Sequence, residues 1–252
     1  MSKALDEMKY RFDRLNKLIC SPVQKELKKK HLTPENTAKI LALKNKYQGK
    51  RCFIIGGSPS LNQLDLAKLN NERTFTINRG YMLSRQGLNH SDFHVLISQR
   101  LFYDNKVYEE IPPGWADIFF FNAVFDSLPF SNIIYLDFDI RKYWQPDLTK
   151  TQGNSFTSAS AAALIAAYSG FKDIYLIGVD LDFTNLSGHA YSQTDGEKER
   201  QTSHSGVSAP TMLEELNILN KRLGENGINL YNASPAGIVN CLPRVKYEEL
   251  FI

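Results

Sequence analysis

The polar residues from Asp180 to His204 are of types and spacings that could do chemistry. Asp180 and Asp182 flank one leucine. Alternate residues of an extended chain point the same way, so both carboxylates could meet one Mg2+ or Mn2+. Accepting bonds from loop amides is the plainer role for Asp180. His189, if protonated, could donate to a phosphate, and Tyr191 could do so at any ordinary pH. His204 has an imidazole that is substantially neutral near pH 7, which suits a general base on a hydroxyl. A loop position with no chemical duty is the competing reading for each. A second group lies earlier, at Gly56, Gly57, Ser58, Pro59 and Ser60. Two glycines allow a sharp turn and a close backbone approach to a ligand. Ser58 and Ser60 bring hydroxyls, and a following helix would offer free amides to an anion. The run is neither a GxGxxG fingerprint nor a P-loop. Asn78 could read a base or a ribose, or simply make a turn. Ser98 ends a further apolar run.

The elements that must position these residues alternate strand and helix. Cys52–Ile55 reads as a short buried strand running into the glycine turn. Arg73–Ile77 is a second strand ending at Asn78, and Asp92–Ile97 a third ending at Ser98. Ala116–Phe121 and Ile133–Leu136 follow, with the phenylalanines of this region read as core. Asp137–Trp144 is too polar for core and reads as a rim or lid. Thr157 or Ser158 can cap an alanine-rich helix, since a hydroxyl there accepts from first-turn amides. Gly170 stops that helix. Ile174–Val179 is a continuous apolar run, as in a strand buried on both faces. Asp180 and Asp182 follow its carboxyl end, where ligands bind in open α/β sheets. Pro210–Arg222 is a helix with Met212, Leu216 and Leu219 on one face, and Ile228–Tyr231 is the last strand. This alternation predicts a mostly parallel sheet. Before it, residues 1–49 read as a helical extension. Leu5, Met8, Phe12, Leu15 and Ile19 form one stripe, Thr33-Pro34 a helix start, and Ile40, Leu41 and Leu43 a buried face. Residues 50–252 form the α/β domain.

Composition narrows the partners. The chain has 252 residues and a formal net charge of +3, too mild for a nucleic-acid surface. Basic residues concentrate at Lys25, Lys28–Lys30, Lys44, Lys46, Lys50 and Arg51, a face suited to peripheral contact with an anionic inner membrane. Cys20, Cys52 and Cys241 are widely spaced and odd in number, which suits a reducing cytoplasm and forms no metal cluster. No signal peptide or membrane-spanning run is visible.

Taken together, Ile-Ile-Gly-Gly-Ser-Pro-Ser-Leu, the strand ending at Asn78, Thr157-Ser158 opening the alanine-rich helix, Gly-Phe-Lys-Asp-Ile-Tyr-Leu-Ile-Gly-Val-Asp and then His204 resemble bacterial sialyltransferases of glycosyltransferase family 42 and the DUF115 (MAF-like) proteins around them. The resemblance covers roughly residues 51–243. It implies a Rossmann-like, GT-A-type α/β fold with helices on both faces. It also implies a metal-independent, inverting transferase that moves a sugar from a CMP-linked donor to a surface-glycan acceptor, as in lipopolysaccharide or capsule synthesis. By resemblance, the glycine turn and Asn78 lie against the nucleotide, Ser158 lies at the donor and His204 is the general base. The chain departs from the family at Gly57 (an asparagine there), Ser155 (an arginine), and Asp182 and His189 (tyrosines that hold the leaving phosphate).

Those departures leave three readings. One is the glycosyltransferase, with no cofactor beyond the nucleotide sugar or with Mg2+ or Mn2+ at Asp180 and Asp182. Another is a pyrophosphokinase of the hydroxymethylpterin type, using ATP and Mg2+ at that pair. The last is a non-catalytic nucleotide-binding partner in surface-glycan assembly. A homo-oligomer is compatible with all three.

Overall fold

The computed structural model describes residues 21–138, 145–153, 157–182, 189–191 and 208–251. Seven strands form one sheet: β1 (Arg51–Ile55), β2 (Thr74–Ile77), β3 (Ser91–Leu96), β4 (Ala116–Asn122), β5 (Ile133–Leu136), β6 (Asp173–Ile177) and β7 (Asn229–Asn232). Their order is β5-β4-β3-β2-β1-β6-β7, and every neighbouring pair is parallel. The chain steps outward from β1 to β5, then returns to lay β6 on the other side of β1. The order therefore reverses at β1, and its carboxyl edge opens the crevice where such sheets bind ligands.

Among the described residues, four α-helices precede and interleave with the strands. Helix α1 (Pro22–His31) starts at Ser21, whose side chain accepts from Gln24 N. Helix α2 (Pro34–Leu43) starts at Thr33, which accepts from Asn36 N, with proline in the first turn as the sequence predicts. Ile40 and Leu43 are buried, but Leu41 is 53% exposed. The expected three-residue face is thus a two-residue one: positions three apart share a helix face, and the residue next to Ile40 points well round from it. The stripe from Leu5 to Ile19 lies outside the described residues. Helix α3 (Ser158–Tyr168) is capped by Thr157, which accepts from Ser160 N. It crosses β1, β2, β3 and β6. Ala162, Ala163 and Ala166 are fully buried. Their small side chains bring the helix backbone close to the sheet. Gly170, at φ 92°, follows its last turn in the left-handed conformation that favours glycine. Helix α4 (Ser208–Gly224) packs on β7 and α3 through Leu216 and Leu219.

Alternation along the strands divides the core in two. Cys52 and Ile54 of β1 join the cluster under α2, α3 and α4. Phe53 and Ile55 join the opposite cluster, which contains residues of short 3-10 helices: Leu61, Leu66, Leu69, Leu83, Val107 and Tyr247. Each fully buried leucine here stabilises the fold by about 1.5–3 kcal/mol relative to exposure.

Both sheet edges are met by other parts of the chain. At the β5 edge, the Asn36 side chain donates through Nδ2 to Tyr135 O (2.9 Å) and accepts at Oδ1 from Tyr135 N (2.8 Å). His31 stacks on the Tyr135 ring beside it, at 3.8 Å between centroids. At the β7 edge, Asn232 N donates to Pro243 O (2.9 Å) and Val245 N to Asn232 O (3.0 Å). Among the described residues, no helix is long and apolar enough to cross a membrane.

Candidate functional site

The carboxyl ends of β1 and β6 meet backbone to backbone. Gly56 N donates to Ile177 O (2.8 Å), and Ser58 N to Gly178 O (3.0 Å). A Cβ on Gly56 would fall onto the Gly178 carbonyl, so only glycine allows the two strands to end this close together. Strand β6 stops at Ile177, before the expected Val179, because Gly178 turns at φ 60°.

Asp180 lies beyond this turn, 7% exposed. Its carboxylate accepts from Ser60 Oγ at 2.5 Å and from Ser60 N at 3.3 Å. Its own N–H donates to Ser58 Oγ at 3.1 Å. Burial pushes the Asp180 carboxyl above the usual range, and Asp182 adds to this, while the Ser60 bonds and Arg244 pull it back. Two expectations change. The chain is not extended between the two aspartates, because Leu181 sits at φ 51°, so alternation does not aim both carboxylates at one point. The helix after the glycine turn is a five-residue 3-10 turn (Pro59–Gln63), and the Ser60 amide is committed to Asp180. The proton of Ser60 Oγ is committed likewise, whereas Ser58 Oγ acts as an acceptor and keeps its proton for another partner. Among the described residues, no group of three or more His, Cys, Asp or Glu side chains could hold a metal ion.

Asn78 directly follows β2 at φ 54°, and its Oδ1 accepts from Ser158 Oγ at 2.9 Å. The structure thus brings together two residues that lie 80 apart in the chain. Thr157, the α3 cap, is next to Ser158 at this same edge. His189 and Tyr191 close over the glycine turn. His189 Nδ1 lies 3.2 Å from Gly57 O, and Ala190 N donates to Gly57 O at 2.9 Å. The two rings stack with centroids 4.8 Å apart. A Cβ on Gly57 would lie 3.0 Å from the Tyr191 ring, so an asparagine at this position would displace that ring. Ser98 serves a local turn, its Oγ accepting from Leu101 N at 3.4 Å. His204 lies outside the described residues.

Sequence reading missed a polar cluster on the β2 side. Tyr81 OH donates to Glu110, and Arg79 Nη2 donates to the same carboxylate at 3.3 Å. Burial, and then the Glu110 bond and charge, push the Tyr81 phenol far up, with Tyr191 adding and Arg79 opposing. Tyr81 therefore stays a donor at all ordinary pH. Gln86 extends the cluster to the rim, donating to Ala190 O at 2.7 Å. Arg79 directly follows Asn78 and could have been suspected, but nothing local marks Glu110 as its partner.

Among solved structures the chain is similar to the Maf glycosyltransferase from Magnetospirillum magneticum AMB-1, with a TM-score of 0.53 and 17% identity. That match covers 85% of this chain but only 38% of the other, so the chain spans well under half of that protein's length. The sialyltransferase CstII in complex with CMP matches at a TM-score of 0.49 and 17% identity, over 77% of this chain and 86% of that one. CstII from Campylobacter jejuni in complex with a substrate analogue, CMP-3FNeuAc, matches at 0.43 and 14%, over 77% and 85%. At 17% identity, the likeness to the Maf protein establishes a shared fold. No family model matches the chain, and no curated protein matches it by sequence.

Proposed function

We propose that the chain is a glycosyltransferase that binds a CMP-type nucleotide sugar at the carboxyl edge of β1, β2 and β6 and passes the sugar to a hydroxyl acceptor. The observation that carries this reading is the meeting of three separate sequence motifs at that edge. These are the Gly56–Ser60 turn locked to Asp180, the Asn78–Ser158 pair, and the His189–Tyr191 rim over Gly57. A fold shared with a glycosyltransferase supports it. Asn78 and Ser158 would receive the nucleoside, and the Tyr191 hydroxyl would donate to the departing phosphate. In the transfer, His204 takes the proton of the acceptor hydroxyl. The acceptor oxygen bonds to the anomeric carbon, and the bond from that carbon to the phosphate oxygen breaks. The electron pair leaves with CMP, inverting the centre. Asp180 supports the glycine turn through Ser60 in this scheme.

Calorimetry with CMP, CDP, AMP and ATP·Mg2+, paired with turnover of His204→Ala, tests the reading. CMP and CDP should bind most tightly. His204→Ala should lose at least about a hundredfold in kcat, within the usual range for a general base. Its CMP affinity should stay unchanged, because the partner of His204 is the acceptor. A preference for ATP·Mg2+ would overturn the proposal in favour of phosphoryl transfer, and normal turnover would remove His204 from the chemistry.

A further inference from the structure

Beyond β7 the chain forms an arch, residues 233–238, that lies against the end of β6. Ala233 N donates to Leu176 O at 2.8 Å, Val179 N to Ser234 Oγ at 3.4 Å, and Ile238 N to Asp180 O at 2.8 Å. Asn232 ties the foot of the arch: its Oδ1 accepts from Ser234 N and its Nδ2 donates to Val239 O, both at 2.9 Å. Gly237 sits at φ 95°, where a Cβ would lie 2.4 Å from Asp180 Cα. Only glycine lets the arch press this closely on Asp180.

The crown of the arch is held by Arg244, on the stretch that runs back along β7. Its Nη1 donates to Ser234 O at 2.6 Å and to Ala236 O at 3.3 Å, and its Nη2 to Gly237 O at 3.2 Å. A guanidinium is planar, keeps its charge at any ordinary pH and offers several donors in a fixed fork. Hydrogen bonds from a charged donor are also the stronger ones. Pro235 and Ala236 are exposed, so without Arg244 these carbonyls would turn to water.

The arch in turn steadies an unusual backbone. The Asp180 carbonyl lies in the peptide plane that it shares with Leu181. Leu181 is left-handed at φ 51°, a conformation that a residue with a side chain keeps only where its surroundings hold it. The bond from Ile238 N to that carbonyl is such a hold. From the other side, the Asp180 carboxylate takes both the hydroxyl and the amide of Ser60.

We propose that Arg244 is a positioning residue for the candidate site: its guanidinium clamps residues 234–237 onto Asp180, and through Asp180 it holds Ser60 and the glycine turn at the carboxyl edge of β1. Arg244 itself touches no substrate. The part concerning nucleotide affinity rests on the proposed function; the part concerning the arch does not.

Amide exchange and CMP calorimetry on the full-length chain test this with Arg244→Met, which keeps the stem and loses every donor. The Ile238 amide should exchange at least about tenfold faster, with the Ser60 amide following it, while that of Phe53 in β1 stays put, a pattern set by local opening. An unchanged Ile238, a Ser60 that does not follow, or an equal rise at Phe53 overturns the proposal. CMP affinity should fall about tenfold (about 1.4 kcal/mol). An affinity equal to that of a CMP-binding wild type overturns it too. In a Ser60→Ala background the same substitution should cost nothing more, because both residues act through Asp180. Additive losses would make Arg244 a merely structural residue and end the proposal. Arg244→Lys keeps the charge but not the fork, so it should recover little of the affinity or the protection. Full recovery would assign the effect to charge and overturn the clamp. If Arg244→Met does not fold, Arg244→Lys takes its place with the same readouts. A wild type that binds no CMP would refute the proposed function, while the exchange results would still judge the arch.

Discussion

The two faces of the sheet are covered by different kinds of helix. On one face α2, α3 and α4 seal a core of leucine, isoleucine, alanine and phenylalanine. On the other, short 3-10 turns lie over the phenylalanines of β1 and β4. The helices of 10, 11 and 17 residues satisfy their own backbones along most of their length. A 3-10 turn has poorer hydrogen-bond geometry and ends after a few residues. It therefore leaves amides and polar side chains for other partners. Ser60, Arg79, Tyr81 and Glu110, the polar groups on this side of the candidate site, lie in or at the ends of such turns. The α face contributes chiefly Ser158, from the first turn of α3. One face holds the sheet in shape, and the other holds side chains where they can be used.

Substitutions should separate the two roles. The largest effect is expected where they meet. Gly56→Ala puts a methyl group on the Gly178 carbonyl, so β1 and β6 must part at their carboxyl ends. A displacement of about 1 Å at a site costs on the order of a hundredfold in function, so CMP binding should fall by at least that factor and the melting temperature with it. Calorimetry and thermal melts together check this; intact binding would show that the crevice does not depend on the glycine turn. Next comes the α face alone. Leu216→Ala, at a fully buried position in α4, should destabilise by about 2–5 kcal/mol. Its folded fraction should keep wild-type CMP affinity in a denaturant-corrected titration. A parallel loss of affinity would erase the distinction between the faces.

The smallest effect tests the turn face by pH. Burial holds the His94 imidazole down at about 3 in the folded protein, against about 6.5 for the free group. The unfolded chain therefore takes up this proton first as pH falls. The contribution is fully present above about pH 6.5 and is lost on acidification, at up to about 1.4 kcal/mol per pH unit, until the folded pKa is reached. By pH 5 the loss should be about 2 kcal/mol. Urea midpoints of the wild type and His94→Gln at pH 7 and pH 5 isolate it, since His31, also lowered by burial, is common to both. Equal acid sensitivity in the two proteins would show that His94 titrates without burial strain.

Most of the sheet could be read directly from the chain because parallel strands buried on both faces are unbroken apolar runs. Cys52–Ile55 and Ile133–Leu136 were recognisable for that reason, and the Thr157 cap and the Thr33-Pro34 start by their chemistry. What could not be read depends on backbone angles and on distant partners. The Asp180-Leu181-Asp182 spacing suggested a shared cation only while the chain was taken as extended, and Leu181 at φ 51° removes that premise. The Ser60 hydroxyl looked available to a ligand, but Asp180 takes it from 120 residues away. His94 read simply as part of a strand. Its situation depends on Thr76 and Trp115, which only the fold brings to it.

The Asn36 side chain offers Tyr135 one acceptor and one donor, as a neighbouring strand would. A single amide thus occupies the outward backbone groups of Tyr135, and just beyond β5 Gln152 N donates to Asp137 O at 2.7 Å. An open edge is a template on which a second chain can pair and start an aggregate. Asn36 lies 99 residues ahead of the strand it closes, so a chain made from its N-terminus has the stopper in hand before the edge exists. The consequence is colloidal: resistance to self-association at this end of the sheet rests in part on one side chain of a helix that the sheet itself does not contain.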